Sequence, residues 1–525
     1  MPPPPTPHDP LLLALDAGTQ GVRAIVFDAG GNPRAASRIA LAPAFVAPQP
    51  GWAEQDPQVY WDALVAAVQG LWRAGAVRPG ELAAVALTTQ RGTVVCADES
   101  GAPLRPAIVW PDSRLARDLP PLGPMWGSAL RLAGAHGLVR RLQTQAEVNW
   151  IAAHEPALWA RAARVGLLSA WLSERLVGQW VDSIGCQVGY LPFDYRRLRW
   201  AGAASWRWRA LAVRAGQLPR LVPPASALGT LTAPAAAALG LPRGLPVIAA
   251  AADKACEVLA CGALAPDAAH LSLGTAAAIN TTQPRYLEVQ RLLPAYPAAL
   301  PGHWNTEVHL PRGFWLVSWF RDQFGAEECA RAAALGVAPE SLFDALLAAT
   351  PPGSDGLVLQ PHWSPGLRDP GPEARGAIVG FTDQHGRAHL YRAIVEGVLF
   401  ALRGGRERIE RRLGRRLTAL HLSGGGARSD AVAQIAADIF GLPAQRPQCE
   451  DASALGAAML AAAGLGLHAG VPAAVRAMAR AGKVSEPDPA AVRVCDEVWR
   501  ERVRPLYPRL RPLLRRWHEV AGQGR

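Results

Sequence analysis

The feature that most constrains this chain is a strand–turn–strand clasp that occurs twice, once in each half. Near the N-terminus the apolar run 11–15 leads into Asp16-Ala17-Gly18-Thr19-Gln20-Gly21 and out again through the apolar run 22–27. Far downstream, Leu271-Ser272-Leu273-Gly274-Thr275 repeats that logic, shortly after a run of small apolar residues at 247–252 that ends in Asp253-Lys254. Turns of this kind aim successive backbone N–H groups at one point and make a concave seat for anions. Either clasp alone reads as an ordinary hairpin with a glycine turn. Two of them, with an acid at the end of a strand between, imply a nucleotide held in a cleft and Asp253 beside its terminal phosphate.

At 525 residues the chain has room for two or three domains with large cores. The formal charge is +11, yet only two residues are lysines, Lys254 and Lys483. The arginines are scattered, and their densest runs, 403–416 and 500–516, have helical spacing, which reads as solvated helix faces and not as a nucleic-acid surface. The seven cysteines show no two-residue metal spacing, and an odd number does not suggest a disulfide framework, so a reducing cytoplasm is expected. Residues 1–10, rich in proline, read as a disordered leader, and no apolar run of about 18 residues predicts a membrane span.

Strand-like and helix-like stretches alternate through both halves, which argues for α/β domains. A helix is expected from Asp56 and Pro57 to about Arg73, a strand at 82–87, a further strand and turn over 94–101, and a helical insertion over 120–145. A second block opens near Leu245 and repeats the plan, with helices expected at 388–411, 430–440 and 452–463 and a strand at 420–423 ending in Gly424-Gly425-Gly426. The expected boundaries are an N-terminal domain at 11–245, a C-terminal domain at 246–490, and a closing helical segment at 491–525 broken near Pro505, Pro508 and Pro512.

Several blocks in order make the chain resemble the FGGY carbohydrate kinases. They are Asp16-Ala17-Gly18-Thr19, Trp52-Ala53-Glu54-Gln55-Asp56-Pro57, Gln90-Arg91-Gly92-Thr93, residues 105–114, Asp253, Ser272-Leu273-Gly274-Thr275, residues 375–397, and Ser423-Gly424-Gly425-Gly426-Ala427. The resemblance covers roughly residues 11 to 465. It implies two actin-like (ribonuclease H-like) ATPase domains with a nucleotide and substrate cleft between them, ATP and Mg²⁺ as cofactors, and a small sugar or polyol as substrate. No nucleic acid or membrane partner is expected, and a homodimer is the candidate assembly.

On that resemblance Asp253 is the catalytic base, Asp16 holds Mg²⁺ through water, and Gly18, Thr19, Gln20, Arg23, Gly274 and Thr275 bind phosphate. Gly424, Gly425, Gly426, Ala427 and Ser429 take the adenosine, with Gln434 a weaker candidate. Gln90, Arg91, Trp110 and Asp112 line the sugar pocket, joined by Lys254 on the strength of its position. Each has a plain structural alternative: a helix cap for Asp253, a glycine turn for 424–426, a salt bridge for Arg23, Arg91 or Asp112, and a one-turn pair with Glu257 for Lys254.

The chain also departs from its relatives. Glycerol kinases of the family carry Gln-Arg-Glu-Thr where this chain has Gln90-Arg91-Gly92-Thr93, and xylulose kinases carry Met-His there. Lys254 stands where Gln or Asn is usual, and Glu147 where the family's first signature has lysine. The expected activity is phosphorylation of a hydroxyl of a sugar, sugar alcohol or sugar acid. A kinase of a non-carbohydrate hydroxyl compound and a non-catalytic nucleotide or sugar sensor are the alternatives.

Overall fold

The computed structural model describes residues 10–366 and 369–523, so the expected leader, apart from Pro10, lies outside the described residues. The chain forms two compact units. The first takes residues up to Gly262 together with Pro284–Asn305 and Asp451–Ala479, and the second takes Ala263–Gln283, Thr306–Glu450 and Arg480–Arg525.

The first unit is built on a six-stranded sheet. Its strands are β1 (Leu11–Ala17), β2 (Gly21–Phe27), β3 (Pro33–Ala40), β4 (Leu82–Thr89), β5 (Ala227–Thr230) and β6 (Pro246–Ala249), in the order β5-β6-β4-β1-β2-β3. The centre, β6-β4-β1, is parallel, with Ala249 opposite Leu87 and Asp16 opposite Thr88. Residues Leu12 to Asp16 are buried without alternation, as a parallel strand covered on both faces requires.

The helix Pro57–Ala74 lies against β2 and β3. Asp56 caps it by accepting the Gln58 N–H at 2.9 Å, and Gly75 ends it at φ +70°. The helix Ala452–Gly464 returns from far along the chain to cover β1 and β4 and to pack on the helix Asp253–Ala260. Its small residues allow close approach: a Cβ on Gly456 would stand 2.2 Å from the Cys256 carbonyl oxygen. A smaller sheet joins Glu54–Gln55, Ala107–Ile108, Val94–Ala97 and Arg164–Leu167. The expected insertion at 120–145 consists of two helices, Pro124–Leu132 and His136–Gln145.

The second unit repeats the plan with β7 (Ala268–Leu273), β8 (Ala277–Gln283), β9 (Trp304–Leu310), β10 (Ala419–Ser423), β11 (Ala444–Pro447) and β12 (Ala481–Ser485), in the order β9-β8-β7-β10-β11-β12. β7 and β10 are parallel, with Ser272 opposite Ser423. The helix Arg387–Leu413 packs on β8, where a Cβ on Gly405 would meet Ile279 at 2.8 Å.

Two expectations are corrected. The second domain does not begin at residue 246: β6 and the helix Asp253–Ala260 belong to the first unit, and so do residues 451–479. The closing segment is not broken at its prolines either. A π-type turn at Trp499–Val503 carries the helix Pro489–Val498 into Arg504–Gln523, which runs on through Pro508 and Pro512. Pro505 follows directly on the π-type turn, where the regular bond ladder is already interrupted.

Candidate active site

In the first unit the carboxyl ends of the three parallel strands carry the predicted residues. This is the end of an α/β sheet where loops gather and ligands bind. β1 delivers Asp16 and the turn to Thr19, β4 delivers Gln90 and Arg91, and β6 runs through 250–252 into Asp253. The Gln90 N–H donates to the Ala17 carbonyl at 3.0 Å, joining the ends of β1 and β4, and the Ala252 N–H donates to the carbonyl of Gly185, in the turn Ile184–Cys186, at 3.1 Å. The Thr88 hydroxyl donates to the Ala251 carbonyl at 2.7 Å, tying the segment before Asp253 to β4.

Asp253 is the first residue of its helix, with Ala252 as the capping residue. One carboxylate oxygen accepts the Lys254 N–H at 2.7 Å. Burial raises its pKa to about 6, while Lys254 and Arg91 pull it down and Glu257 and Asp16 push it up. Asp253, Lys254, Glu257, Arg91 and Asp16 therefore share one electrostatic neighbourhood.

Asp16 is buried, and both its side-chain contacts fall on Oδ2: Ser453 donates at 2.6 Å and Arg23 at 3.1 Å. Burial raises its pKa, and Arg23 and then Ser453 oppose the shift. Arg23, half exposed, is thus the partner of Asp16. Nothing in the sequence near Asp16 points to Ser453, which arrives on the returning helix. Among the described residues no three His, Cys, Asp or Glu side chains form a metal cage. A single buried carboxylate is nevertheless a fitting anchor for Mg²⁺, which keeps most of its waters and takes one or two carboxylates.

Thr19 does not stand apart as a phosphate ligand. It accepts a hydrogen bond from Trp110 Nε1 at 2.8 Å and donates to Gln90 Oε1, and Gln90 Nε2 donates to the Tyr60 hydroxyl at 2.8 Å. The turn backbone is fixed by the Gly18 N–H donating to Gly21 at 3.0 Å, with Gln20 exposed beside it. Trp110 is 40 % exposed, and Arg91 lies over the Tyr296 ring at 5.4 Å.

Asp112 is engaged elsewhere. It accepts the Ala53 N–H at 2.7 Å and pairs with Arg114 at 2.7 Å. Arg114 also reaches Glu54 at 2.8 Å and lies 3.9 Å over Trp52 and 4.6 Å over Trp150. Arg105 bridges Glu54 and Glu155. Two of the quoted sequence blocks, 52–57 and 105–114, are thereby welded by a buried charge network with aromatic lids. Both Asp112 oxygens are engaged by Ala53 and Arg114.

In the second unit the parallel neighbours β7 and β10 place Gly274 and Thr275 beside the Gly424 turn. Gly424 lies at φ +89°, and a Cβ there would meet the Leu273 carbonyl carbon at 2.8 Å, so only glycine fits this approach. A Cβ on Gly426 would stand 2.6 Å from the Phe314 ring, and Gly425 faces open space. The Phe314 N–H donates to Gly274 at 3.0 Å and the Trp315 N–H to Thr275 at 3.2 Å. Ala427 is buried. Ser429 caps the helix Asp430–Phe440 by accepting the Val432 N–H at 3.0 Å and donates to Asp344 at 2.6 Å. Gln434 is tied to Asp438 and Glu486, away from the glycine turn.

Two family models match the chain. The N-terminal domain of the FGGY family of carbohydrate kinases matches residues 11–260, and its C-terminal domain matches residues 269–465. An uncharacterized sugar kinase of Escherichia coli (strain K12) is 28 % identical over 488 residues, covering 89 % of this chain and 87 % of its own length. A glycerol kinase of Methylibium petroleiphilum is 31 % identical over 481 residues, covering 87 % of this chain and 91 % of its own. The crystal structure of a xylulose kinase from Rhodospirillum rubrum superposes with a TM-score of 0.79 at 28 % identity, covering 96 % of this chain and all of that one. The fold is the two-domain actin-like ATPase fold of these enzymes. With both family domains matched across most of its length, the chain belongs to the FGGY family of carbohydrate kinases, enzymes that phosphorylate a sugar or polyol with ATP.

Proposed function

We propose that this kinase transfers the γ-phosphate of ATP to a hydroxyl of a sugar, sugar alcohol or sugar acid larger than glycerol, with Asp253 as the base. The observation that carries the reading is the convergence of Asp16, Gln90, Arg91 and Asp253 at the carboxyl ends of β1, β4 and β6. As the new O–P bond forms and the bond from the γ-phosphorus to the ADP oxygen breaks, the hydroxyl proton passes to Asp253. A carboxylate with a pKa of about 6 is a weak base, so its main work is aiming the substrate oxygen, and it takes the proton late.

Mg²⁺, when bound, neutralises charge on the phosphates, and Asp16 would hold it. Phosphate oxygens are assigned to the turns at Gly18–Thr19 and Gly274–Thr275 and to Arg23, and the adenosine to Gly424, Gly425, Gly426 and Ala427. On the sugar side Arg91 and Lys254 offer donors, Gln90 has one amide hydrogen beyond its bond to Tyr60, Trp110, whose N–H is bonded to Thr19, offers its ring, and Asp112 acts by positioning Arg114 and Ala53. The relatives include enzymes named for glycerol and for xylulose. Gly92 lacks the side chain that glycerol kinases of the family carry as glutamate, and the loss of that hydroxyl acceptor argues against glycerol and for the larger substrate.

The test is ADP release with ATP and Mg²⁺ across ketoses, polyols and aldonic acids, with Asp253→Asn as control. Sugar-dependent turnover lost in Asp253→Asn supports the reading. Turnover of the best substrate that survives this substitution removes Asp253 as base.

A further inference from the structure

We propose that Glu147 is a specificity-determining residue that reads a hydroxyl of the substrate at the end remote from Asp253. The proposal rests on the kinase reading above. Glu147 opens the helix Glu147–His154 in the first unit. One of its carboxyl oxygens, Oε2, is buried and has no hydrogen-bond partner among the described residues. Leaving such an oxygen bare costs free energy, so a water, an ion or a ligand group is expected to complete its hydrogen bonding.

The obvious partner is taken. Arg114, the nearby cation, is engaged by Glu54 and Asp112 and clamped between Trp52 and Trp150. The charged and titratable groups facing Glu147 are Asp112 and Arg114 from the loop after Ala107–Ile108, and Tyr190 from the loop before Phe193. The Tyr190 hydroxyl donates to Gln145 Oε1 at 3.1 Å, not to Glu147.

The position joins the candidate site step by step. Asp253 feels Arg91, and Arg91 lies over Tyr296. Tyr190 lies in the fields of both Tyr296 and Glu147. The Gly92 N–H donates to the Val188 carbonyl at 3.0 Å, holding the Arg91 turn against the loop that carries Tyr190. Val188 and Tyr190 thus connect the Arg91 turn to Gln145, two residues before Glu147, and on this proposal a polyol with one hydroxyl at Asp253 presents its far end to Glu147.

Burial, and then Asp112, push the Glu147 carboxyl up to about 8, opposed by a hydrogen bond from its own backbone N–H and then by Arg114. At neutral pH it is therefore a neutral acid, with one O–H to give and oxygens to accept, the pattern that fits a hydroxyl. The raised pKa sets the direction: above about pH 8 the acid ionises and loses its donor, so KM for the substrate rises while kcat holds.

The experiment compares the parent chain with Glu147→Ala and Glu147→Gln, using the best ketopentose or pentitol found and its monodeoxy analogues, from pH 6 to 9. Folding is monitored by thermal melting. In Glu147→Ala, KM is expected to rise about tenfold, the worth of one hydrogen bond, with kcat nearly unchanged. One deoxy analogue should lose the same factor with the parent chain and nothing further with Glu147→Ala. Glu147→Gln, which keeps a donor and an acceptor in the same shape, should restore affinity and abolish the rise of KM above pH 8. Parent turnover with KM and analogue preferences unchanged in both variants overturns the proposal alone. Absence of sugar-dependent turnover in the parent chain overturns the kinase reading and this proposal with it. Loss of melting temperature in both variants, with no change of analogue preference in the folded fraction, assigns Glu147 to structure and also overturns it.

Discussion

Asp253 sits where its environment decides its usefulness. A carboxyl raised to about 6 is still ionised at neutral pH, but not in mild acid. Because the base must be ionised, kcat/KM is expected to fall about tenfold per pH unit below pH 6, and a pH–rate profile of the parent chain checks this. Asp253→Asn should lower kcat by about two to four orders of magnitude and flatten the acid limb, with the fold retained on thermal melting. Ser453 poses a different residue-scale question. Its hydroxyl is one of two groups opposing the burial of Asp16, so Ser453→Ala raises the Asp16 pKa further. The expected loss is about 1–3 kcal/mol in denaturant unfolding, with more Mg²⁺ needed for half-maximal activity. Arg23, half exposed, should compensate only in part.

At the scale of elements, function depends on how closely backbone approaches backbone. The helix Ala452–Gly464 lies on the helix that begins at Asp253, and Gly456 allows it by leaving 2.2 Å between a would-be Cβ and the Cys256 carbonyl. Gly456→Val must push the two helices apart. We expect a loss of about 1–3 kcal/mol, seen as a lower melting temperature, together with a fall in kcat because Asp253 moves with its helix. In the second unit, Gly424→Ala meets both a left-handed backbone and the Leu273 carbonyl carbon at 2.8 Å. The expected outcome is a stability loss of about 1–2 kcal/mol and a raised KM for ATP, with KM for the sugar little changed. Equal melting curves for parent and variant would refute the packing argument in either case.

For the whole molecule, the chain's path is the main finding. The first unit closes only when residues 451–479 return to it, so a fragment ending at Gly262 lacks the helix that covers β1 and β4. Such a fragment should bind a hydrophobic dye and unfold without a cooperative transition, whereas the full chain should not bind it. A cooperative urea transition in the fragment, matching the full chain, would show that the returning helix is dispensable.

Much of this was legible in the sequence. The Asp16 turn, the Gly274–Thr275 turn, the acid at 253 and the glycine run at 424–426 are local signals, because turn geometry and strand burial depend on a few adjacent residues. The helix 430–440 and the strand at 82–87 were equally readable, from capping and apolar runs. The domain boundary was not. A strand such as Val247-Ile248-Ala249 has the same composition whichever sheet it joins, and only pairing with Val85–Leu87 assigns it to the first unit. Asp112 looked like a pocket residue by its place in a block, yet Arg114, two residues on, and the Ala53 amide occupy it. The bonds from Trp110 to Thr19 and from Ser453 to Asp16 span 91 and 437 residues, and no local pattern encodes such partners. The bare oxygen of Glu147 was equally hidden, since burial is a property of everything packed around a group. The sequence by itself determined which chemistry the chain could carry, because residue type and turn shape are local. The tertiary structure decided which of those residues are held ready and which are already engaged, because that depends on contacts between segments far apart in the chain.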